Sequence, residues 1–488
     1  MNIFAAKRIE SNSLKRVSRE FSRLFKTDTY VDDQKFLEEY GIYIPGKKNF
    51  PKGYIKLWPQ DFIVEEISLD GDLQSIYHEK FLSREKEFSR EDSVLYATLV
   101  KCGLSTIEAA EELAKDLNIE TENIKFAGIK DKYAITSQLI SLKGINAEKL
   151  QEVADPGKNA KEDSLQKQSP YLFIKNVSSG RRELFIGGLK ENQFTILVRT
   201  EHYLAEDKLL AEMKRVEKEG FYNYYYLQRF GIPRLKSPMR GLLVLKGEYE
   251  KVIFSELCQT GERELPYFQA LRNSISRLWG NWEEIIDILD SFPLTFQAER
   301  KMINYLIKNP GDFTGALNEV PEQVRLWVDS FVSLLFNKKL ASYLKEKQNL
   351  PEALPFFLSP DKRTWLFYKD LLEKYEVFSM PFALKNLAPF PFVRAGFRER
   401  ETKARVKILD YKVIPEGIIL NFNLPKGSYA TTFLSHLFDL LSGVPSRKIS
   451  NLPIDTKANI KKPSLASILN QFQDVVYLPA WKYSWRIY

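Results

Sequence analysis

Residues 126–142 read FAGIKDKYAITSQLISL. The second half, Tyr133 to Leu142, has the β-branched and aromatic content of a strand entering a sheet. Ahead of it stands Gly128, a turn-type residue. Asp131, held between Lys130 and Lys132, is therefore predicted in a tight loop at a strand entrance, where a side chain can face a cleft. A carboxylate flanked by two ammonium groups sits in a positive local field that favours its ionised form. That suits a nucleophile or general base working beside a polyanion. On local chemistry alone, a solvated Lys-Asp-Lys turn is the commoner meaning of such a pattern, so the rest of the chain has to decide.

The chain has 488 residues, 44% hydrophobic and 13% aromatic, enough for a large core and for two to four domains. Its net charge of +8 is mild for this length and fits a nucleic-acid partner without requiring one. Two distant cysteines, Cys102 and Cys258, point to a reducing compartment and not to a disulfide framework. With only His78, His202 and His436 besides, no zinc-ligand spacing exists. No apolar run reaches the roughly 18 residues of a membrane helix, and the N-terminus lacks a secretory apolar core. Lys7, Arg8, Lys15, Arg16, Arg19, Arg23 and Lys26 would suit an organelle-targeting helix, but Glu10 and Glu20 weigh against it. A cytoplasmic location is expected. There is no phosphate-binding glycine loop, dinucleotide fingerprint or Ser-His-Asp order.

Residues 1–49 form a basic, then acidic, lead-in without a clear core pattern, either an RNA-contacting extension or a solvated helix pair. In Lys56-Leu-Trp-Pro-Gln-Asp-Phe-Ile-Val-Glu-Glu66, Pro59 and Asp61 mark a turn and Phe62 to Ile67 a short strand. Ser105 and Glu108 have capping-box spacing and start a helix with Ile107, Ala110, Leu113, Ala114 and Leu117 on its core face. Asn192 reads as a turn residue and Phe194 as core. Leu204 to Glu219 is helical in pattern and stops at Gly220. After Phe221-Tyr-Asn-Tyr-Tyr-Tyr-Leu-Gln-Arg-Phe-Gly231, residues 246–402 are mostly helical, with patterns at Trp282–Leu289, Phe296–Ile307 and Val328–Leu344. Ile419 to Phe422 alternates as a strand and leads into Leu424-Pro-Lys-Gly-Ser-Tyr-Ala-Thr. Trp481, Lys482, Tyr483, Trp485, Arg486 and Tyr488 interleave basic and aromatic residues, which either bind RNA or pack a terminal strand.

Gly128, Lys130, Asp131, Lys132, Ala134, Thr136 and Gln138 together resemble the signature of the TruD family of pseudouridine synthases, on its archaeal and eukaryotic side. Further segments resemble the family in order: Lys56 with Asp61-Phe62, the Lys101-Gly103 stretch, Gly188 to Thr195, Asn223 to Gly231, Ser333 to Asn337, and Leu424 to Thr431. The resemblance implies that Asp131 is the nucleophile and that Lys56 keeps it ionised. It implies that Asn223, Tyr225, Gln228, Arg229, Lys130, Lys132 and Tyr429 bind substrate, with the Tyr225 ring available to stack on a flipped base. Lys101 either touches RNA or serves the fold. Five positions depart from the family pattern. Tyr225 stands for a phenylalanine and Val332 for a glutamine. Tyr226 replaces a glycine, implying a different turn or an extra ring near the substrate, and Ser435 and His436 replace an Arg-Glu pair.

The resemblance implies an α/β (α+β) fold. A catalytic domain with a mostly antiparallel curved sheet, residues 50–245 plus 403–445, is split by a largely helical TRUD insertion domain, residues 246–402. Residues 1–49 are a basic N-terminal extension and residues 446–488 a basic and aromatic tail. RNA would lie in a basic cleft between the two domains. The implied reaction converts uridine to pseudouridine at position 13 of tRNA, with no metal or cofactor and no obligate protein partner. The competing expectations are a non-catalytic RNA-binding protein or RNA chaperone with the same fold, and a synthase with broader RNA targets.

Overall fold

A computed structural model of the chain describes residues 3–47, 50–77, 94–154, 171–201, 204–446 and 448–472. The terminal basic and aromatic run from Trp481 to Tyr488 lies outside these residues. The chain forms two compact units, one from Met1–Asn49 and Tyr222–Lys403, the other from Phe50–Phe221 and Ala404–Ile487. No described helix is long and apolar enough to cross a membrane.

The second unit is built on an open, mostly antiparallel sheet. Its strands are β1 (Lys52–Tyr54), β2 (Phe62–Ser68), β3 (Val94–Lys101), β4 (Ile124–Phe126), β5 (Ile135–Leu142), β6 (Leu172–Gly180), β7 (Leu189–Thr200), β8 (Lys407–Ile414), β9 (Gly417–Pro425) and β10 (Asp439–Gly443). The long β7 is the spine. It pairs antiparallel with β2 and β1 along one edge and with β9 along the other. Phe194 on β7 packs its ring against Phe422 at 5.3 Å and Phe62 at 6.1 Å, as expected of a core residue. Asn192, predicted in a turn, lies inside β7 opposite Glu66 and Leu424, because β7 runs straight through between two partners.

Two pairings break the antiparallel rule, and one of them positions the site. β2 runs parallel to β5, with Ile63 opposite Ile135. Parallel neighbours start at the same end of a sheet, so the loops that precede β2 and β5 emerge side by side. β3 runs antiparallel to β5, with Lys101 opposite Thr136. Its last residue therefore arrives at the same end.

The helix Thr106–Leu117 has the predicted capping box, Ser105 with Glu108. Its core face differs by one position from the expected one. Ile107 is 40% exposed, whereas Thr106 and Ala109 are fully buried beside Ala110, Leu113, Ala114 and Leu117. The helix Glu206–Glu219 ends at Gly220, whose φ of 76° suits a residue without a Cβ. Within residues 448–472, part of the expected basic and aromatic tail, several side chains enter this unit's core. Leu465, Ile468 and Phe472 pack with Ile63, Val100 and Ile135, and the buried Lys457 ammonium pairs with Glu65 at 2.5 Å.

The other unit is largely helical. Its centre is the helix Pro321–Lys345, which buries residues around its whole circumference from Val324 to Ala341, as a helix wrapped by others must. The helix Ser237–Lys246 crosses it so closely that Gly241 leaves no room for a Cβ against the Trp327 carbonyl. Residues 3–47, expected as a basic N-terminal extension, pack into this unit. Leu14, Val17, Leu37 and Ile42 are buried, and the Glu10 carboxylate accepts from the Leu294 and Thr295 amides at 2.6 and 3.0 Å. The sequence pattern hides this because those core residues are spread over several short elements.

Candidate active site

Asp131 sits in the short loop between β4 and β5, as the strand-entrance reading predicts. The loop is pinned by residues of the 126–142 stretch and of the neighbouring helix. Gln138 on β5 donates to the Gly128 carbonyl at 3.0 Å and accepts from the Thr106 hydroxyl at 2.9 Å. The same hydroxyl oxygen accepts from the Lys130 amide at 2.8 Å. The Gly103 amide donates to the Lys132 carbonyl at 2.9 Å. A carboxylate held this firmly keeps its aim, which is what catalytic positioning requires.

The cations that face Asp131 are not its sequence neighbours. Lys130 is buried and turns into the sheet, where its ammonium pairs with Glu66 at 2.5 Å. Lys132 turns the other way and pairs at 2.7 Å with Glu108, the capping-box residue. The partner of Asp131 is Lys56, which donates to Oδ2 in a short ion pair. The Asp131 Oδ1 accepts from the Tyr133 amide at 3.2 Å. Lys101, at the end of β3, points its buried ammonium at the carbonyls of Leu104 and Asp131, each at 2.8 Å.

These contacts set the charge state. Burial pushes the Asp131 carboxyl up, but Lys56, then Lys101 and the Tyr133 amide, outweigh it and hold the carboxyl below the ordinary carboxylate range. Asp131 is thus an anion that still has 30% of its side chain exposed. Lys101 carries the cost of the arrangement. Burial pushes its ammonium down to about 8, against smaller support from Asp131.

Lys56 itself is forced into place. Its φ is 61°, a left-handed conformation that costs a non-glycine residue roughly 1–2 kcal/mol. Its ammonium lies 4.1 Å from the centroid of the Phe62 ring, so the cation is bounded by a ring face and a carboxylate. The turn between Lys56 and Phe62 is anchored from beneath. Asp61 accepts from the Trp58 amide at 3.0 Å, and its carboxylate forms a fully buried bidentate pair with Arg199 at 2.7 and 2.8 Å. The Trp58 indole donates to the Asn451 carbonyl at 2.9 Å.

Asn223, Tyr225 and Arg229 come together in the helical unit. Asn223 Oδ1 accepts from the Arg400 guanidinium at 2.7 Å, and its Nδ2 donates to the Glu401 carbonyl at 3.1 Å. The Arg400 guanidinium also lies 4.0 Å from the centroid of the Tyr225 ring, and Arg229 lies 5.1 Å from it. The ring edges of Phe336 and Phe356 complete the surround, leaving Tyr225 only 5% exposed. Asn337 fixes the Tyr225 backbone, accepting from its amide at 2.9 Å and donating to its carbonyl at 2.8 Å. Gln228 is exposed in a short 3-10 helix. In the sheet unit, Tyr429 is half-buried at the start of the helix Ala430–Ser435.

The departures from the family pattern resolve into structure. Tyr226 starts the 3-10 turn Leu227–Phe230, its carbonyl accepting from the Arg229 amide at 2.9 Å. It is buried, and its hydroxyl donates to Asp32 at 2.9 Å beside the Asp32–Arg263 ion pair. Ser435 and His436 are buried and both bond the Thr432 carbonyl, at 2.8 Å each. Arg400 is the participant that sequence reading left out, and Lys101, read as either an RNA contact or a residue of the fold, instead turns its ammonium into the Asp131 loop. Lys101 leaves a trace, a lysine closing an otherwise apolar strand. Arg400 leaves none, being 177 residues from Asn223.

Comparisons with known proteins identify the family. Residues 42–355 match the family model "tRNA pseudouridine synthase D (TruD)". The chain is 26% identical over 403 residues to a Methanocaldococcus jannaschii protein named as a probable tRNA pseudouridine synthase D 1, covering 79% of this chain and 95% of the relative. It is 27% identical over 414 residues to the Aquifex aeolicus tRNA pseudouridine synthase D, covering 79% and 97%. A crystal structure of the Methanosarcina mazei protein described as tRNA pseudouridine synthase D superposes with a TM-score of 0.55, at 22% identity, over 82% of this chain and 97% of that one. With its sheet, its Asp131 loop and a family match over most of its length, this chain belongs to the TruD family of tRNA pseudouridine synthases, a family of isomerases.

Proposed function

We propose that this chain isomerises uridine to pseudouridine in RNA, at position 13 of tRNA, with Asp131 as the nucleophile. The observation that carries the reading is an ionised, partly exposed carboxylate gripped by Lys56 at the entrance of β5. The reaction breaks the bond from C1′ to N1 and forms one from C1′ to C5. The C5 proton leaves to solvent and N1 takes one up, so product and substrate have the same composition. Asp131 either adds to a carbon of the nucleotide or removes a proton from it, and both roles need the anion that Lys56 and Lys101 maintain. No electron leaves or enters, so the chemistry calls for no redox cofactor. The detached ring must turn over, which requires a base held outside its stack. In this reading Gln228, Arg229 and Tyr429 contact the nucleotide, while Asn223, committed to Arg400 and Glu401, and the enclosed Tyr225 ring fix the shape of the Asn223–Gly231 segment. Because Lys130 and Lys132 are committed to Glu66 and Glu108, they act on the loop's shape more than on RNA. The sheet unit is the catalytic body and the helical unit the insertion, and the protein works where tRNA is, in the cytoplasm.

The test compares wild type with Asp131→Asn on tRNA transcripts tritiated at uridine C5. Wild type is expected to release the label and the variant to release none, with RNA binding retained by both. Binding without release by wild type, across a panel of RNAs, would leave an RNA-binding protein or chaperone in place of the enzyme. Release from several unrelated transcripts would establish the broader target range.

A further inference from the structure

We infer that the outward face of the helix Ile3–Glu20 is an accessory docking surface for the phosphate backbone of the RNA substrate, separate from the Asp131 site. The inference rests on the synthase reading for its choice of polyanion, and on the following geometry for the surface itself.

The helix has two chemically distinct faces. Ala6, Glu10, Leu14 and Val17 point inward and are each at most 7% exposed. Glu10 fastens the helix, accepting from the Leu294 and Thr295 amides and from the Thr295 hydroxyl at 2.6, 3.0 and 2.7 Å. A buried carboxylate spent on three donors fixes the helix in one rotation about its axis. That rotation turns Arg8, Asn12, Lys15, Arg16 and Arg19 outward. At 3.6 residues per turn these positions fall within an arc of about 100°, and Arg8 to Arg19 spans about 16 Å along the axis. That length suits several consecutive phosphates of one strand.

The charge on this face is concentrated and unpaired. Arg8, Lys15, Arg16, Arg19, Arg23 and Lys26 are all exposed, and none forms an ion pair among the described residues. The exposed acid among residues 8–26 is Glu20 alone. The segment therefore shows solvent a net +5, in a chain whose whole excess is +8. A merely solvated helix normally alternates its charges at i,i+4 spacing, as Arg215 does here with Glu212 and Glu219. Here Arg16 has Glu20 at that spacing, but Lys15 and Arg19 stack like charges and Arg8 has no acid there, which favours an external anion.

Two observations favour RNA over an anionic membrane. The helix's inward apolar face, Ala6, Leu14 and Val17, is already spent inside the protein, leaving Ile9 as a single exposed large apolar side chain among the described residues of the helix, too little for a membrane-inserting face. Just past the helix, Phe21 is 42% exposed, with its ring 5.9 Å from that of Tyr267, an arrangement on which a base can stack. The helix lies outside residues 42–355, which match the family model.

The test uses the full chain with Arg8, Lys15, Arg16 and Arg19 all changed to Gln, and a control in which Arg8, Arg16 and Arg19 are changed to Lys. The dissociation constant for a tRNA transcript is measured from 50 to 300 mM salt, alongside tritium release. The Gln variant is expected to bind about tenfold more weakly at low salt. Its plot of log affinity against log salt should be shallower by about 3, since each of the four phosphate contacts contributes roughly 0.7–0.9. The loss should fall on KM and leave kcat, and the Lys control should restore affinity and slope. Unchanged affinity and slope in a folded, active Gln variant would overturn the proposal. So would wild type binding phosphatidylserine vesicles through this face while RNA binding ignores the substitutions. If wild type bound RNA without releasing tritium, yet the Gln variant lost affinity, the synthase reading would fail and this surface would stand.

Discussion

Lys101 offers the sharpest quantitative test of how the site is held together. Its ammonium is fully buried, with its two shortest hydrogen bonds to the Leu104 and Asp131 carbonyls at 2.8 Å each and a longer one to the Lys130 carbonyl at 3.4 Å. Burial takes it from 10.5 down to about 8, a penalty worth about 3 kcal/mol. Below pH 8 the folded and unfolded chains both carry the proton, so the whole penalty is present and constant. Between pH 8 and 10.5 the unfolded chain holds a proton that the folded chain has released, so stability rises with pH across that window. Lys101→Met removes the titrating group. It relieves the charge penalty but strands two buried carbonyls, at about 1–3 kcal/mol each, so the two effects largely offset near neutrality. What remains diagnostic is the pH dependence. Wild type should gain about 2–3 kcal/mol on the variant between pH 7.5 and 10, read as the difference between their urea transitions. The same substitution removes one of the two cations that hold Asp131 ionised, so the acid limb of tritium release should move to higher pH. Parallel stability profiles for the two proteins from pH 7.5 to 10 would refute the reasoning, because Lys101 would then keep its proton in that range despite its burial.

Two further outcomes follow from side chains outside the Asp131 loop. Arg400→Ala removes the donor to Asn223 Oδ1 and the guanidinium over Tyr225. A charge-assisted bond of this kind is worth about 1.5–3 kcal/mol, so single-turnover tritium release should slow by about ten- to a hundredfold with little change in RNA affinity. Arg400→Lys should recover only part of the rate, having no planar fork. Glu299, 3.4 Å from Arg272 inside the helical unit, is pushed up to about 7 by burial and by neighbouring Glu256. Between pH 4.5 and 7 the folded chain keeps a proton there that the unfolded chain has lost, so wild-type stability should fall as pH rises through that window. Thermal melts of Glu299→Gln at pH 5 and 7.5 should lack that fall; an equal fall in both proteins would remove Glu299 as its source.

Much of the fold was legible because local chemistry and tertiary outcome agree. The strand after Asp131, the capping box at Ser105, the stop at Gly220 and the helices around Trp282 and Gln297 all follow from short-range pattern. Where pattern failed, a long-range partner intervened. Ile107 has core spacing but is exposed, since its helix is rotated to seat Thr106 against Gln138. Tyr226 replaces a glycine without disturbing a pocket, because Asp32 waits for its hydroxyl 194 residues away in sequence.

The sequence alone determined that a carboxylate stands at a strand entrance in a family-like frame, with Lys56 as its expected partner. It could not determine which neighbours face that carboxylate. Successive residues of a tight loop point to different sides, so Lys130 and Lys132, adjacent to Asp131 in the chain, are carried away to Glu66 and Glu108. Their places are taken by Lys56 and Lys101, and strand order is the reason. Parallel pairing of β2 with β5 and antiparallel pairing of β3 with β5 deliver both lysines to one end of the sheet. The charge that keeps Asp131 ionised is thus a property of the pairing, which only the folded sheet contains.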